Sequence, residues 1–307
     1  LKDKRGILLN YTRLSSVFIL KRDFEKVIDI CNEALKVEPD SEAFYINRGN
    51  AYAELNQPER AIEDYGKAIA LNPNFAEAYY NRGIAYAKLN KHERAIEDYG
   101  KAIALNPNYA EAYNNRGVAY AKLNKYERAI EDYDETIKLN PNYAAAYNNR
   151  GAAYAESNQH ERAIKDYDRA IELNSNYAEA YANRGIAYSE IQRYEESARD
   201  LKRAGVLFLH SGREEYAVET FYFCFKLRDK IEIENDDIVY CGLALFLITL
   251  NPDVIIALRK MKTQDENLRR ILELTMRKLR RGDISEEMAV LDGKEKRNEM
   301  MPLLELL

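Results

Sequence analysis

Tryptophan is absent from this 307-residue chain, and histidine and cysteine each occur only 3 times. So few metal-binding side chains, so widely spread, give neither a zinc knuckle nor a disulfide framework. Cys31, Cys224 and Cys241 each sit in apolar helical text and read as small buried hydrophobes. That fits a reducing compartment, so a cytoplasmic location is expected. There is no glycine-rich phosphate loop, no paired metal-ligand spacing and no nucleophile elbow. No catalytic residue, cofactor or metal is therefore expected, and the chain is not expected to be an enzyme. The apolar run Ile238 to Leu250 has 13 residues, short of the roughly 20 a membrane span needs. Positive charge is not in excess either: the net charge of -5 argues against a nucleic-acid coat.

What is present is periodic. Gly49, Gly83, Gly117, Gly151 and Gly185 are spaced by 34 residues, inside the texts NRGNAY, NRGIAY, NRGVAY, NRGAAY and NRGIAY. Twelve residues after the first four of these stand Ala61, Ala95, Ala129 and Ala163, each opening AI-x-DY, and Pro39, Pro73, Pro107 and Pro141 keep the same period. In the unit 110–143, Tyr113, Gly117, Tyr120 and Leu123 recur at helical spacing. After a polar break at Asn124-Lys125, Ala129, Ile130, Tyr133, Ile137 and Leu139 form a second amphipathic helix, which ends at Asn140-Pro141. Gly117 and Ala129 are expected where the two helices cross, since larger side chains would wedge them apart. Repetition at this length means stacked units that share a core with their neighbours.

This text resembles the tetratricopeptide repeat: the aromatic four before the glycine, the Gly-x-x-Tyr step, the alanine twelve on and the late proline all match. Six units fit in register over 1–211, starting at Leu8, Glu42, Ala76, Ala110, Ala144 and Ala178. The resemblance implies an all-α, right-handed superhelical solenoid of antiparallel helix pairs. The first helix of each pair would line a concave groove, and the role would be binding or scaffolding rather than catalysis.

One departure from the family carries information. Where the family usually has leucine, this chain has Arg48, Arg82, Arg116, Arg150 and Arg184, followed sixteen residues later by Asp64, Asp98, Asp132, Asp166 and Asp200. In the first unit both positions turn apolar together, as Leu14 and Ile30. The joint change predicts that the positions touch, as an ion pair in most units and an apolar contact in the first.

On the family's geometry the groove-facing positions flank that arginine. Immediately before it stand Asn47, Asn81, Asn115, Asn149 and Asn183; two before it, Ile46, Tyr80, Asn114, Asn148 and Ala182. Five before it are Ala43, Glu77, Glu111, Ala145 and Glu179; two after it, Asn50, Ile84, Val118, Ala152 and Ile186. An asparagine amide both donates and accepts, so this row suits a peptide backbone, or else bridges adjacent repeats. Asn47, Tyr80, Asn81, Glu111, Asn114, Asn115, Asn148, Asn149 and Asn183 are the candidate contacts. The carboxylate clamp of some family members is missing: Thr12, Ile46, Tyr80, Glu77 and Glu111 stand where its lysines would be. Groove glutamates favour a neutral or basic protein or peptide ligand instead.

After Ile191 the register slips. Gly205, Phe208, Ala217 and Phe221 fit a degenerate seventh repeat, predicting helices over about 193–210 and 213–228, the second apolar on nearly all faces and sandwiched under a cap. The extension 212–307 is expected to be that helical cap, with helices started by Asp236-Asp237 and by Asn251-Pro252-Asp253. Its basic stretch 259–281 offers a less favoured reading as a nucleic-acid contact, and Leu303, Leu304, Leu306 and Leu307 a route to homo-oligomers. The chain opens at Leu1 without a signal-peptide pattern, so a regulatory module of a longer protein is the other alternative.

Overall fold

The structure is a computed structural model that describes residues 2–230 and 235–249, with residues 254, 263 and 269 beyond them. The start at 251–253 of a further expected helix, most of the basic stretch 259–281 and the leucines at 303–307 lie outside the described residues. The helices in chain order are α1 (Lys2–Leu20), α2 (Phe24–Val37), α3 (Glu42–Glu54), α4 (Pro58–Leu71), α5 (Ala76–Lys88), α6 (His92–Leu105) and α7 (Ala110–Lys122). Then come α8 (Tyr126–Leu139), α9 (Ala144–Glu156), α10 (His160–Leu173), α11 (Ala178–Glu190), α12 (Tyr194–His210), α13 (Glu214–Lys226) and α14 (Asp236–Thr249), with one 3-10 turn at Leu227–Asp229. No strand occurs among the described residues. Two compact units, 1–153 and 154–307, divide the chain within α9.

Local chemistry sets where each helix stops. Arg22, Asn56, Asn90, Asn124, Asn158 and Gln192 take the left-handed conformation, with φ between 55° and 63°. Asparagine enters that region more readily than most residues, because its side chain can bond the local backbone. At Asn56 the backbone closes as a Schellman motif: Gln57 N–H reaches Tyr52 C=O at 2.8 Å and Asn56 N–H reaches Ala53 C=O at 3.2 Å. The second helices end at Asn72, Asn106, Asn140 and Asn174, whose Oδ1 accepts the N–H two residues on at 3.1–3.2 Å.

In the first unit each helix packs on the next from α1 to α8, and α3 also meets α5, as α5 meets α7. The glycines explain the spacing within a pair. A methyl group built on Gly49, Gly83 or Gly117 would lie 2.7 Å from the ring of Tyr65, Tyr99 or Tyr133, sixteen residues on. These rings are buried, and Ala61, Ala95 and Ala129 are fully buried in the same cores. The first repeat replaces glycine and tyrosine together, by Ser15 and Cys31, both fully buried.

Beside this contact runs the ion pair. Arg48 Nε and Nη2 donate to Asp64, each at 2.7 Å; Arg82 reaches Asp98 at 2.7 and 2.8 Å, and Arg116 reaches Asp132 at 2.8 and 2.6 Å. In the second unit Arg184 grips Asp200 in the same bidentate way, at 2.6 and 2.8 Å. Arg150 and Asp166 belong to different units. The remaining Nη1 reaches back to the preceding repeat: Arg48 to Asn32 at 2.5 Å, Arg150 to Asp134 at 2.5 Å, and Arg184 to Asp168 at 2.6 Å. Burial pushes the Asp132 and Asp200 carboxyls above the ordinary range despite their guanidinium partners, so desolvation outweighs the pairing there. Leu14 stays 37% exposed and Ile30 half-buried, and neither joins the first core of Val27, Cys31 and Ala34. The arginine position faces the second helix of the preceding repeat, which α1 lacks among the described residues.

In the second unit the repeat shortens. Gly185 meets Leu201 on α12, and Gly205, on the same helix, meets Phe221 on α13. The left-handed residues Gln192 and Gly212 are 20 apart instead of 34. Hence α12 closes one pair and opens the next, which is the long helix expected over 193–210. Helix α13 is not sheathed on all sides: Ala217, Phe221, Cys224 and Phe225 are buried, but Tyr216 and Tyr222 remain 54% and 49% exposed. The helix buried on every side is α14, through Ile238, Val239, Cys241, Leu243 and Ala244.

Two stability predictions follow from these contacts. Arg116→Leu alone should cost about 3 kcal/mol, the low end for a buried pair because the arginine side chain keeps 22% exposure. Adding Asp132→Ile should restore most of it; additive losses in urea midpoint would show that the pair is not coupled. Gly83→Ala should destabilise by roughly 1–2 kcal/mol, since crowding Tyr99 outweighs the helix-propensity gain. Gly66→Ala, where the new methyl meets only Arg82 Nη1 at 3.8 Å, should instead stabilise by about 0.5–1 kcal/mol. The same sign at both glycines would refute the assignment.

Candidate functional site

The first helices of successive pairs bring the predicted asparagines together as a bonded row. Asn81 Nδ2 donates to Asn50 Oδ1 at 3.2 Å, Asn115 Nδ2 to the Tyr80 hydroxyl at 3.1 Å, and Asn149 Nδ2 to Asn114 Oδ1 at 3.2 Å. Asn114 Nδ2 in turn donates to Asn115 Oδ1 at 3.2 Å. Asn81, Asn115 and Asn149 thus each reach back one repeat. Asn114 and Asn148 are buried, whereas Asn47, Asn81, Asn115, Asn149 and Asn183 are half-buried.

A cavity of about 490 Å³ opens between α3 and α5, beside the turn from α1 to α2. Asn47, Asn50, Asn81, Glu54, Glu77 and Lys88 supply its polar wall, and Ile19, Phe24 and Ile84 its apolar one. Its floor is rigid. The buried Tyr65 hydroxyl donates to Asn50 Oδ1 at 2.7 Å, so that this oxygen receives two donors, one from Tyr65 and one from Asn81. An amide whose oxygen is held by two bonds presents its NH2 group to the opposite side. Burial, with the charges of Glu77, Asp64 and Glu54, raises the Tyr65 phenol far above its ordinary pKa, so it stays a donor. Tyr65 and Lys88 were missed in sequence, whereas Asn50 stands at the groove-facing position two after the repeat arginine but was not among the candidate contacts. Their signal is weak, since asparagine at position 50 is matched by Ile84, Val118, Ala152 and Ile186 in the other units.

One repeat along, aromatic rings line the same face. Tyr80 packs on Tyr109 with ring centroids 4.7 Å apart and on Tyr99 at 5.9 Å. Burial, then the neighbouring Tyr143 and Glu111, pushes the Tyr80 phenol up to about 12. Tyr109 and Tyr143 are raised by burial as well, with Glu111 adding to both. Glu77 and Glu111 are exposed, and neither has an ion-pair or side-chain hydrogen-bond partner among the described residues. Among those residues no group of His, Cys, Asp and Glu is arranged to hold a metal ion, and no helix is long and apolar enough to cross a membrane.

Comparison with known proteins accords with this architecture. A TPR repeat model matches residues 49–90, a tetratricopeptide-repeat model matches 76–109, 110–143 and 144–177, and a further one matches 166–198. The crystal structure of MamA is 31% identical over 56% of this chain and 94% of MamA, with a TM-score of 0.52. YrrB, described as a TPR protein with an unusual peptide-binding site, is 23% identical over 62% of this chain and 96% of its own, with a TM-score of 0.51. The C-terminal part of a TPR repeat-containing protein from Cytophaga hutchinsonii shares the fold at 15% identity, over 81% of this chain and 99% of its own, with a TM-score of 0.65.

Proposed function

The chain belongs to the tetratricopeptide-repeat family, and from that premise we propose that it holds an extended segment of a partner protein along the face built by α3, α5 and α7. A protein–protein interaction scaffold needs no reacting group, only oriented donors, acceptors and apolar pockets. The observation that carries this reading is the pinned Asn50 amide. Its oxygen is held by Tyr65 and Asn81, so its NH2 donors are set in advance for a carbonyl of the bound chain. Asn47 and Asn81 line the same cavity and can bond the neighbouring peptide groups, while Ile19, Phe24 and Ile84 take a side chain of the ligand. The unpartnered Glu77 and Glu111 favour a neutral or basic segment over a terminal carboxylate. YrrB, which shares the fold, is itself described by a peptide-binding site.

Selection of random displayed nonapeptides against the full chain tests this. Binders should reach the micromolar range, about -8 kcal/mol. Asn47→Ala/Asn81→Ala, which leaves the Tyr65–Asn50 bond intact, should weaken them about tenfold, the loss of one or two hydrogen bonds. Equal affinity for the double variant, checked as folded by its circular dichroism, would remove this face as the site.

A further inference from the structure

We infer that the face formed by Glu77, Tyr80, Tyr109 and Glu111 receives an arginine side chain of the bound segment. The inference rests on the peptide-groove reading above and names the residue that this part of the groove selects. Its ground is a comparison that the repeats themselves provide. Glu77, Glu111 and Glu179 occupy one position, five residues before the repeat arginine, in three different units. At Glu179 the structure supplies the occupant: Arg213 Nη1 donates to its Oε1 at 2.5 Å. That guanidinium also lies over two aromatic rings, Phe208 at 4.6 Å and Tyr216 at 5.6 Å, whose centroids are 5.5 Å apart with planes tilted by 32°. The carboxylate balances the charge while the ring faces attract the cation, an arrangement suited to the flat guanidinium.

At Glu111 the same parts are assembled without a cation. Asn115, one helical turn beyond Glu111 on α7, bonds the Tyr80 hydroxyl at 3.1 Å, which holds that hydroxyl to the stretch of α7 that carries Glu111. Tyr109, two residues before Glu111, packs on Tyr80 at 4.7 Å with the planes tilted by 38°. Glu111 acts electrostatically on both phenols and on that of Tyr143, and Glu77 acts on Tyr109. Among the described residues no lysine or arginine lies over the rings of Tyr80 or Tyr109, and none pairs with either carboxylate. Two carboxylates and a tilted ring pair are thus left complementary to a guanidinium that none of the described residues supplies.

The test titrates the full chain, carrying labelled tyrosine rings, with the peptide acetyl-Ala-Ala-Arg-Ala-Ala-amide and with its citrulline counterpart, which keeps the shape and loses the charge. The arginine peptide should shift the Tyr80 and Tyr109 ring signals, assigned through Tyr80→Phe and Tyr109→Phe. The citrulline peptide should bind about tenfold more weakly, and Glu77→Gln/Glu111→Gln should erase the difference. Equal shifts from the two peptides, no shift at either ring, or an arginine preference surviving in the Gln variant would each overturn the inference. Groove-binding nonapeptides selected without enrichment of arginine would overturn it too while leaving the peptide-groove reading standing.

Discussion

From the second repeat to the fourth, the packing hangs on one contact sixteen residues long: a glycine on the first helix of a pair against a ring on the second. The ring of Tyr65, Tyr99 or Tyr133 occupies the space that a Cβ on Gly49, Gly83 or Gly117 would need. With that distance set, the arginine next to each glycine is placed opposite the aspartate next to each tyrosine. Ring and carboxylate come from neighbouring positions of one helix, so the apolar contact and the ion pair form together. The burial that makes the glycine contact also strips water from the carboxylate, as the raised Asp132 shows. The ion pair therefore contributes selectivity of pairing more than net stability.

Because Arg48, Arg150 and Arg184 also reach back to the second helix of the preceding repeat, a contact inside one repeat becomes a link between repeats. Asn32, Asp134 and Asp168 accept that second bond. The asparagine row does the same on the other side of the helices, from Asn81 to Asn50 and from Asn149 to Asn114. The face proposed for binding is thus built from side chains that also hold neighbours in register, which fixes their orientation in advance.

Much of this was legible in the sequence because the chain contains its own controls. The Arg–Asp pairing showed in the joint change to Leu14 and Ile30, and the shared helix α12 showed in the slip to Gly205 and Ala217. The exposure of Leu14 was not legible, because the arginine position faces a preceding helix as much as its own partner. Periodicity within a unit says nothing of that neighbour. The asparagine row does bridge adjacent repeats, as the sequence allowed, but its partners were illegible: Asn81 bonds Asn50 at a position where other units carry apolar residues. The cavity, too, depends on where Ile19 and Phe24 of the first repeat fall beside α3 and α5.

The double use of α12 bears on how such a chain can change length. Between Gly49 and Gly117 the protein is written in a 34-residue unit whose every copy offers the same glycine, ring, arginine and aspartate at its edges. A block of that size could be duplicated or lost there, and the rejoined ends would still match. The step from Gln192 to Gly212 is 20 residues and does not fit that 34-residue block. Leu201 and Gly205 on one helix answer to different partners, so α12 joins one spacing to another. Heredity can extend or trim this protein through its interior repeats, while the junction at α12 acts as a full stop.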